Sequence, residues 1–224
     1  MKNHKKMIIR YNRKGIEEMV KNIIFDLMKV IIKKESNIKT LMNFTNDSNK
    51  AEELQEYIFK TEEWKLLDLG NISQEQAIRE MQRKAPKEYK NLIEEIMNKR
   101  CQYFTVNEET VKIAKRLKEK GYHIYVLSNM SEFAYTYFKD IDFFQLCDGI
   151  MISAYEHLVK PEEKIFKTLL DRYHLNPQEC LFIDDDDTGK SLETANRLGI
   201  LGRRVKPNDS QDVLTLLEEY KIEV

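Results

Sequence analysis

Aspartates follow two apolar runs of the chain, one near each end. The first run, Asn22-Ile23-Ile24-Phe25, leads into Asp26, and the second, Cys180-Leu181-Phe182-Ile183, leads into four aspartates, Asp184 to Asp187. Short apolar runs with β-branched and aromatic residues are typical of buried parallel strands, whose carboxyl ends meet at one edge of a sheet. Carboxylates clustered there suit a divalent cation, and a cation beside Asp26 would let its carboxylate attack an anionic phosphate.

The elements that would position these aspartates follow from the apolar pattern between residue 106 and the C-terminus. Apolar residues at helical spacing alternate there with short apolar runs, and Gly121 and Gly199 end two of the helices. This alternation predicts an α/β fold with a doubly wound parallel sheet, which has helices on both faces. We predict strands over 123–127, 149–153, 180–184 and 200–205. We predict helices over 108–120 and 131–137, a helix that begins at Pro161, a helix that ends at Gly199, and a last helix capped by Asn208 or Ser210.

Residues 36–100 interrupt the alternation. They are rich in lysine and glutamate, contain no convincing strand and show helical pairs such as Leu54 with Ile58. We expect a small helical cap over 36–100 that covers the strand ends, excludes water and selects the substrate, with Trp64 packed inside it. The alternative is a helical decoration without a role at the site. The α/β core then comprises 21–35 and 101–224, and residues 1–20 form an N-terminal extension with a short surface helix or strand.

The charge balance argues against two classes of partner. Lysine plus arginine (37) nearly equals aspartate plus glutamate (38), so a net charge of -1 gives no electrostatic attraction to nucleic acid or to an anionic membrane. No apolar run has membrane-spanning length, and the first twenty residues lack the apolar stretch of a secretory signal. We therefore expect a soluble cytoplasmic protein that binds neither nucleic acid nor membrane. The oligomeric state has no signature in the sequence.

The three cysteines do not form a pattern of their own. Cys101, Cys147 and Cys180 are too few and too scattered for a disulfide framework or for a zinc site. We predict reduced, buried thiols.

Four segments, in this order, resemble the motifs of the haloacid dehalogenase (HAD) superfamily. They are Phe25-Asp26-Leu27, Leu127-Ser128-Asn129, Val159-Lys160-Pro161 and Phe182-Ile183-Asp184-Asp185. Each lies at the end of a predicted strand or the start of a predicted helix. The insertion after the first strand is similar to the helical cap of this family, as in its sugar-phosphatase branch. The resemblance extends from about residue 20 to the C-terminus and implies a HAD-like Rossmannoid core with a small helical cap domain.

The resemblance implies a Mg²⁺-dependent phosphatase that hydrolyses a small phosphorylated metabolite, such as a sugar phosphate. Asp26 would be the nucleophile that forms an aspartyl-phosphate, and Lys160 would offset the charge of nucleophile and phosphate. Ser128 and Asn129 would bind the phosphate together with Lys160. The metal ligands would be Asp26, Met28 through its backbone carbonyl, Asp184 and Asp185.

The run of four aspartates leaves the choice of metal ligands open by counting alone. The distance from Lys160 selects Asp184 and Asp185, whereas the distance back from Gly199 selects Asp186 and Asp187. We favour the first pair, because the predicted strand fixes its position.

The chain departs from the family's usual phosphatases two residues after the nucleophile. Those enzymes have a second aspartate there, which protonates the leaving group and later activates water, whereas this chain has Met28, followed by Lys29 where a small residue is common. General acid/base catalysis contributes roughly a hundredfold to ten-thousandfold in rate. We therefore expect a substrate whose leaving group needs little protonation, such as an anomeric sugar phosphate or an acyl phosphate.

Two other interpretations remain. The chain is alternatively a catalytically weakened member of the family that binds a ligand or a partner, with Lys29 in the electrostatic role of the metal. A dehalogenase would also tolerate Met28, but it needs no divalent cation and would gain nothing from clustered aspartates.

Overall fold

A five-stranded parallel sheet forms the centre of the computed structural model, which describes residues 20–224. Residues 1–19 of the predicted N-terminal extension lie outside the described residues. In chain order the strands are β1 (Asn22–Phe25), β2 (Ile32–Lys33), β3 (Thr105–Val106), β4 (His123–Ser128), β5 (Gly149–Ile152), β6 (Cys180–Asp184) and β7 (Leu201–Arg204). The large sheet has the order β5-β4-β1-β6-β7 with all neighbours parallel, and β2 pairs with β3 in a separate antiparallel ribbon.

Helices connect the strands and fill an insertion after β2. The insertion carries α1 (Asn37–Thr45), α2 (Ser48–Ile58), α3 (Glu62–Asp68), α4 (Gln74–Lys84) and α5 (Lys90–Lys99). After β3 follow α6 (Glu108–Glu119), α7 (Glu132–Phe138), α8 (Ser153–Glu156), α9 (Glu163–Arg172), α10 (Lys190–Arg197) and α11 (Ser210–Glu219). The alternation of strands and helices after β3 confirms the predicted α/β fold.

The central strand β1 is buried on both faces. Ile23 and Phe25 pack into an apolar layer with residues of α6, α7 and α11, whereas Ile24 packs into the opposite layer with residues of α9 and α10. Alternate side chains of a strand point to opposite faces, so a continuous apolar run is required where helices cover both faces. This burial explains why the run 22–25 contains only one polar residue, Asn22.

The five helices of the insertion have an apolar cluster of their own. Leu41, Leu54, Ile58, Ile93 and Ile96 are fully buried within it. No strand lies between residues 34 and 104, which agrees with the helical pattern of this segment. The β2–β3 ribbon, where the chain leaves and re-enters the core, was not predicted, because two residues per strand are too few for a periodic pattern.

The insertion contacts the core where α3 meets α8. The Ser153 hydroxyl donates a hydrogen bond to the Asp68 carbonyl, and His157 Nδ1 lies 3.0 Å from the Leu69 carbonyl oxygen. Gly70 follows with a positive φ of 66°, and a Cβ at this position would lie 1.9 Å from the Ala154 carbonyl oxygen. The close approach of the two backbones therefore requires glycine here.

Two predicted helix starts differ from the structure. The helix after Pro161 begins at Glu163, two residues later than predicted, with Glu162 in the cap position. The last helix is capped by Asp209, whose side chain accepts from the Asp212 N–H, rather than by Asn208 or Ser210. Asn208 instead has a left-handed backbone and hydrogen-bonds the loop before α1.

Cys101 and Cys180 are buried, as predicted, Cys147 is half-buried, and the structure records all three as free thiols. None of the helices in residues 20–224 combines the length and apolar character that crossing a bilayer requires.

Candidate active site

Three aspartates lie together at the carboxyl end of the central strands. Strands β1 and β6 are parallel neighbours with Phe25 opposite Ile183, so Asp26 and Asp184 follow at the same level. Oxygen atoms of Asp26, Asp184 and Asp185 all lie within 4.8 Å of one another. The register of the two strands thus produces a carboxylate cluster from residues that are far apart in the chain.

The ammonium group of Lys160 bridges two of these carboxylates. Its Nζ lies 2.8 Å from Asp26 Oδ1 and 2.8 Å from Asp184 Oδ2, and the lysine is only 8% exposed. The Asn129 side chain fixes the Lys160 backbone, because it accepts from the Lys160 N–H at 2.8 Å and donates to the Lys160 carbonyl at 2.9 Å. The ammonium also lies 5.1 Å from the centre of the Phe182 ring.

The electrostatics of the cluster reflect burial and crowding of like charges. Burial raises the pKa of Asp26 to about 7; Lys160 opposes this shift, whereas the negative charges of Asp184 and Asp185 add to it. Burial alone would lower the pKa of Lys160, but Asp184 and Asp26 outweigh burial and raise it, so the ammonium stays protonated at neutral pH. The two buried acids Asp26 and Asp184 therefore share the single positive charge of Lys160.

Lys29 approaches the cluster from the loop after β1. It has a left-handed backbone with φ 62°, and its Nζ lies 3.1 Å from Asp185 Oδ2. The loop is closed by the Leu27 carbonyl, which accepts from the N–H groups of Ile31 and Ile32. This tight turn places the Lys29 ammonium at the edge of the carboxylate cluster, beside Asp185, which is one of the predicted metal ligands.

The structure separates the four consecutive aspartates by environment. Asp184 and Asp185 belong to the carboxylate cluster, as the predicted strand end implied. Asp186 accepts from the Thr188 and Ser191 N–H groups and so orders the turn before α10, while Asp187 is exposed.

Ser128 and Asn129 follow the neighbouring strand. Ser128 is fully buried, and its hydroxyl oxygen has no hydrogen-bond partner among residues 20–224. An unpaired buried hydroxyl costs about 1–3 kcal/mol, so this hydroxyl is a donor to which residues 20–224 offer no acceptor. The Asn129 side chain, predicted to bind phosphate, hydrogen-bonds both the N–H and the carbonyl of Lys160.

The residues of the cluster fit a magnesium ion. Mg²⁺ prefers oxygen ligands, and Asp26, Asp184 and Asp185 supply carboxylates from both sides of the cluster. Lys160 and Lys29 each donate to a single oxygen of each carboxylate that they contact. The fourth predicted ligand, the Met28 carbonyl, accepts no hydrogen bond from the part of the chain that the structure describes.

Two neighbouring cavities open from the cluster. One of about 310 Å³ is lined by Asp26, by Lys160 and by the four aspartates from Asp184 to Asp187 at and after the end of β6. A second, of about 200 Å³, lies between insertion and core, and the two share Lys29, Asn129 and Asp185 as lining residues. An elongated ligand could therefore place one end in each cavity.

The second cavity contains residues that the sequence analysis did not single out for function. They are Lys34, Asp68 and Arg100, from three separate parts of the chain. Trp64 lies against the Phe59 ring with 4.7 Å between ring centres, as expected for packing, but it also lines this cavity. No motif marks these residues, because their proximity arises only from folding.

Solved structures of other proteins share this architecture. The HAD family enzyme BT-2542 from Bacteroides thetaiotaomicron, in complex with magnesium and inorganic phosphate, is 20% identical; the match covers 85% of this chain and 96% of that chain with a TM-score of 0.68. A predicted HAD-like family hydrolase from Porphyromonas gingivalis is 20% identical over 89% of this chain and 98% of that chain, with a TM-score of 0.68. L-2-haloacid dehalogenase from Xanthobacter autotrophicus is 13% identical over 92% and 85%, with a TM-score of 0.61. At these identities the likeness concerns the fold.

A family model adds information from sequence. The model for haloacid dehalogenase-like hydrolases matches residues 20–190, which include the segments around Asp26, Ser128, Lys160 and Asp184. The match covers most of the chain and confirms the resemblance that these four segments indicated. The chain therefore belongs to the haloacid dehalogenase-like hydrolase family and is, as a member, a hydrolase.

Proposed function

We propose that this hydrolase is a Mg²⁺-dependent phosphatase that acts on a small phosphorylated metabolite through Asp26. The observation that carries the proposal is the cluster of Asp26, Asp184 and Asp185 at the strand ends, with Lys160 bridging two of them. Clustered carboxylates and a buried ammonium suit a dianionic phosphate held beside a cation. The complex of BT-2542 with magnesium and inorganic phosphate supports the proposal, because that protein has the same fold.

The reaction proceeds in two displacements at phosphorus. A carboxylate oxygen of Asp26 attacks phosphorus, an oxygen–phosphorus bond forms, and the bond to the leaving oxygen breaks. Water then attacks the aspartyl-phosphate, which releases inorganic phosphate and restores the carboxylate. When bound, Mg²⁺ neutralises charge on the phosphate oxygens and on Asp26.

The other residues position and stabilise the phosphate. The Ser128 hydroxyl, which has no hydrogen-bond partner among the described residues, donates to a phosphate oxygen. Lys160 supplies positive charge next to the attacking carboxylate, and Asn129 holds the lysine backbone in place. Such fixed donors and charges stabilise a phosphoryl-transfer transition state without reorganisation during the reaction.

The leaving group receives no proton from position 28. Methionine cannot act as an acid, so the leaving oxygen takes its proton from solvent or departs as a stable anion. Anomeric sugar phosphates and acyl phosphates meet this condition better than alkyl phosphates. The helical insertion over 36–100 acts in this proposal as a cap that covers the leaving-group side.

Hydrolysis of p-nitrophenyl phosphate tests the proposal. The leaving nitrophenolate needs no proton, so the assay suits an enzyme that lacks the acid. We expect turnover that requires Mg²⁺ and that falls at least about a thousandfold in Asp26→Asn, consistent with loss of a nucleophile. Asp171→Asn, which changes an exposed aspartate of α9 outside the cluster, is the matched control and should retain activity. Turnover that is equal in the wild type and in Asp26→Asn would contradict the proposal.

One contact favours a second candidate, a catalytically weakened protein that binds a ligand without metal. Lys29 Nζ lies 3.1 Å from Asp185 Oδ2, where it provides part of the positive charge expected from the cation. This candidate predicts no hydrolysis with or without Mg²⁺, and binding of inorganic phosphate that is unaffected by chelators. Calorimetric titration with inorganic phosphate, with and without Mg²⁺, distinguishes the two.

A further inference from the structure

The cavity between the insertion and the core carries more positive than negative charge. Its charged lining residues are Lys29, Lys34, Arg100, Asp68 and Asp185. Lys29 pairs with Asp185, which leaves Lys34 and Arg100 against the single carboxylate of Asp68. Neither of these two cations has a carboxylate oxygen within 4.0 Å among residues 20–224.

Arg100 is a buried cation with few partners. It is 2% exposed, and its guanidinium carbon lies 5.2 Å from the Trp64 ring centre and 5.1 Å from that of Phe133. Of its nitrogens only Nη1 donates hydrogen bonds within the described chain, to Gln74 Oε1 and to the Met97 carbonyl. A buried guanidinium is normally paired with an anion, since desolvation of an unpaired charge is costly. Nε and Nη2 are therefore donors for which the described chain supplies no acceptor.

Lys34 lies on the same cavity without an ion pair among the described residues. Its ammonium is 5.5 Å from the Phe59 ring centre and 5.6 Å from the Phe104 ring centre. Its backbone is fixed, because the Asn208 side chain accepts from the Lys34 N–H and donates to the Lys34 carbonyl. Burial, together with the positive charges of Lys29 and Arg100, lowers the pKa of Lys34 to about 8. This lowering is expected for an ammonium group that lies near other cations.

We infer that this cavity binds a carboxylate group of the substrate through Lys34 and Arg100, so that the substrate class is a small metabolite that carries both a phosphate group and a carboxylate. The inference rests on the proposed function, since the shared residues Lys29, Asn129 and Asp185 place the phosphate in the adjoining cavity. A planar guanidinium matches a carboxylate in geometry and charge. A volume of about 200 Å³, below the usual range for drug-sized ligands, restricts the leaving group to a few carbon atoms.

Trp64 provides a direct readout of this cavity. It is the only tryptophan of the chain, it lines the cavity, and it contacts the Arg100 guanidinium. Its fluorescence therefore reports on ligand binding without any need for turnover. The Asp26→Asn protein with Mg²⁺ is the background for titration, because it keeps the substrate intact.

The two probes are 3-phosphoglycerate and glycerol 3-phosphate, which differ in one carboxylate. We expect the dissociation constant, measured by the Trp64 emission, to be at least about tenfold lower for 3-phosphoglycerate, as charge-assisted hydrogen bonds produce. Lys34→Met and Arg100→Met, each in this background, should reduce that ratio towards one. Arg100→Lys, which retains the positive charge, should preserve more of the preference for 3-phosphoglycerate than Arg100→Met does. Arg79→Met, which removes an exposed cation of α4, should leave the ratio unchanged.

Equal affinity for the two probes, no response of Trp64 to either probe, or a ratio that survives both methionine variants would overturn the inference. Circular dichroism checks the fold of each variant. If Arg100→Met does not fold, Lys34→Met decides, because Lys34 is only half-buried. The outcome is separable from the proposed function, since Asp26-dependent hydrolysis of p-nitrophenyl phosphate tests catalysis, while the fluorescence ratio tests recognition of the carboxylate.

Discussion

At the scale of single residues, Lys160 holds the candidate site together. Its ammonium is the shared partner of Asp26 and Asp184, which would otherwise repel each other in a buried place. The sequence indicated a charge-compensating lysine at this position, but not that it contacts both acids. That contact depends on the Asn129 side chain, which binds the lysine backbone on both sides.

Lys160→Met tests this balance of charge. Removing one member of a buried ionic group typically costs about 3–5 kcal/mol, because the remaining charges stay buried without compensation. We expect a loss of this order in the free energy of unfolding, measured by urea denaturation without metal. Mg²⁺ should restore more stability to Lys160→Met than to the wild type, since a bound cation replaces the lost charge. An equal gain in both proteins would contradict a shared role of lysine and cation.

Met28→Asp tests the missing acid. A carboxyl group there can protonate an alkoxide leaving group, so we expect about tenfold or greater improvement in kcat for glycerol 3-phosphate. The rate with p-nitrophenyl phosphate should change little, because nitrophenolate leaves without a proton. Met28→Leu is the control for changes in packing. Unimproved hydrolysis of glycerol 3-phosphate in a folded Met28→Asp protein would indicate that another step limits the rate.

Much of the candidate site could be predicted from residue order. The carboxylates of Asp26 and Asp184 lie where apolar strands end, and strand register alone brings such residues together. The engagement of the Asn129 side chain with Lys160 and the unpaired Ser128 hydroxyl could not be predicted, because hydrogen-bond partners depend on side-chain geometry.

At the scale of elements, α3 and α8 bring the insertion against the core. Gly70→Ala would combine the cost of a positive φ with a clash against the Ala154 carbonyl. We expect a loss of at least about 2 kcal/mol in the free energy of unfolding, measured in urea. Gly121→Ala is the matched control, because Gly121 also has a positive φ but no atom lies within 4 Å of where its Cβ would be. Similar losses in the two variants would contradict a steric requirement at Gly70.

At the same scale, the side chain of Asp148, the residue before β5, links the start of β5 to β4 through a hydrogen bond. Its carboxylate accepts from the Ile124 N–H at 2.8 Å and from Lys118. Burial alone would raise its pKa, but the hydrogen bonds from Lys118 and Ile124 outweigh burial, so the pKa lies below its ordinary value.

A carboxyl group whose pKa is lower in the folded state than in the unfolded state stabilises the fold at pH values above its unfolded-state pKa. This stabilisation is lost as the pH falls through the folded-state pKa. Asp148→Asn should therefore cost about 1 kcal/mol in urea at pH 7, and the difference from the wild type should shrink below about pH 4. Asp140→Asn, at an exposed aspartate, is the comparison and should show no such trend. A difference for Asp148→Asn that does not change with pH would argue against an ionised acceptor.

The order of elements could be predicted because each core helix and strand has a period of its own. The short β2–β3 ribbon and the cap at Asp209 could not, since both depend on contacts or competition among adjacent polar residues. Asn208 illustrates the second difficulty: it is a good capping residue by type, but its side chain holds Lys34 instead.

At the scale of the whole molecule, a net charge close to zero coexists with a local excess of positive charge. A net charge of -1 gave no sign of the excess positive charge in the cavity between insertion and core. Lys34, Asp68 and Arg100 are separated by more than thirty positions each, and only the packing of the insertion brings them to one surface. Residues that select a substrate in this way carry no motif and require a structure to be found.

The β2–β3 ribbon fixes where the helical insertion joins the rest of the protein. Lys33 and Thr105 face each other across the ribbon, so the chain departs from the core and returns to it at adjacent points. The two ends of the insertion are therefore held next to each other by the pairing of β2 with β3. A helical segment of another length would meet the core at the same two strands, while Asp26 and Asp184 stay on β1 and β6, outside this junction.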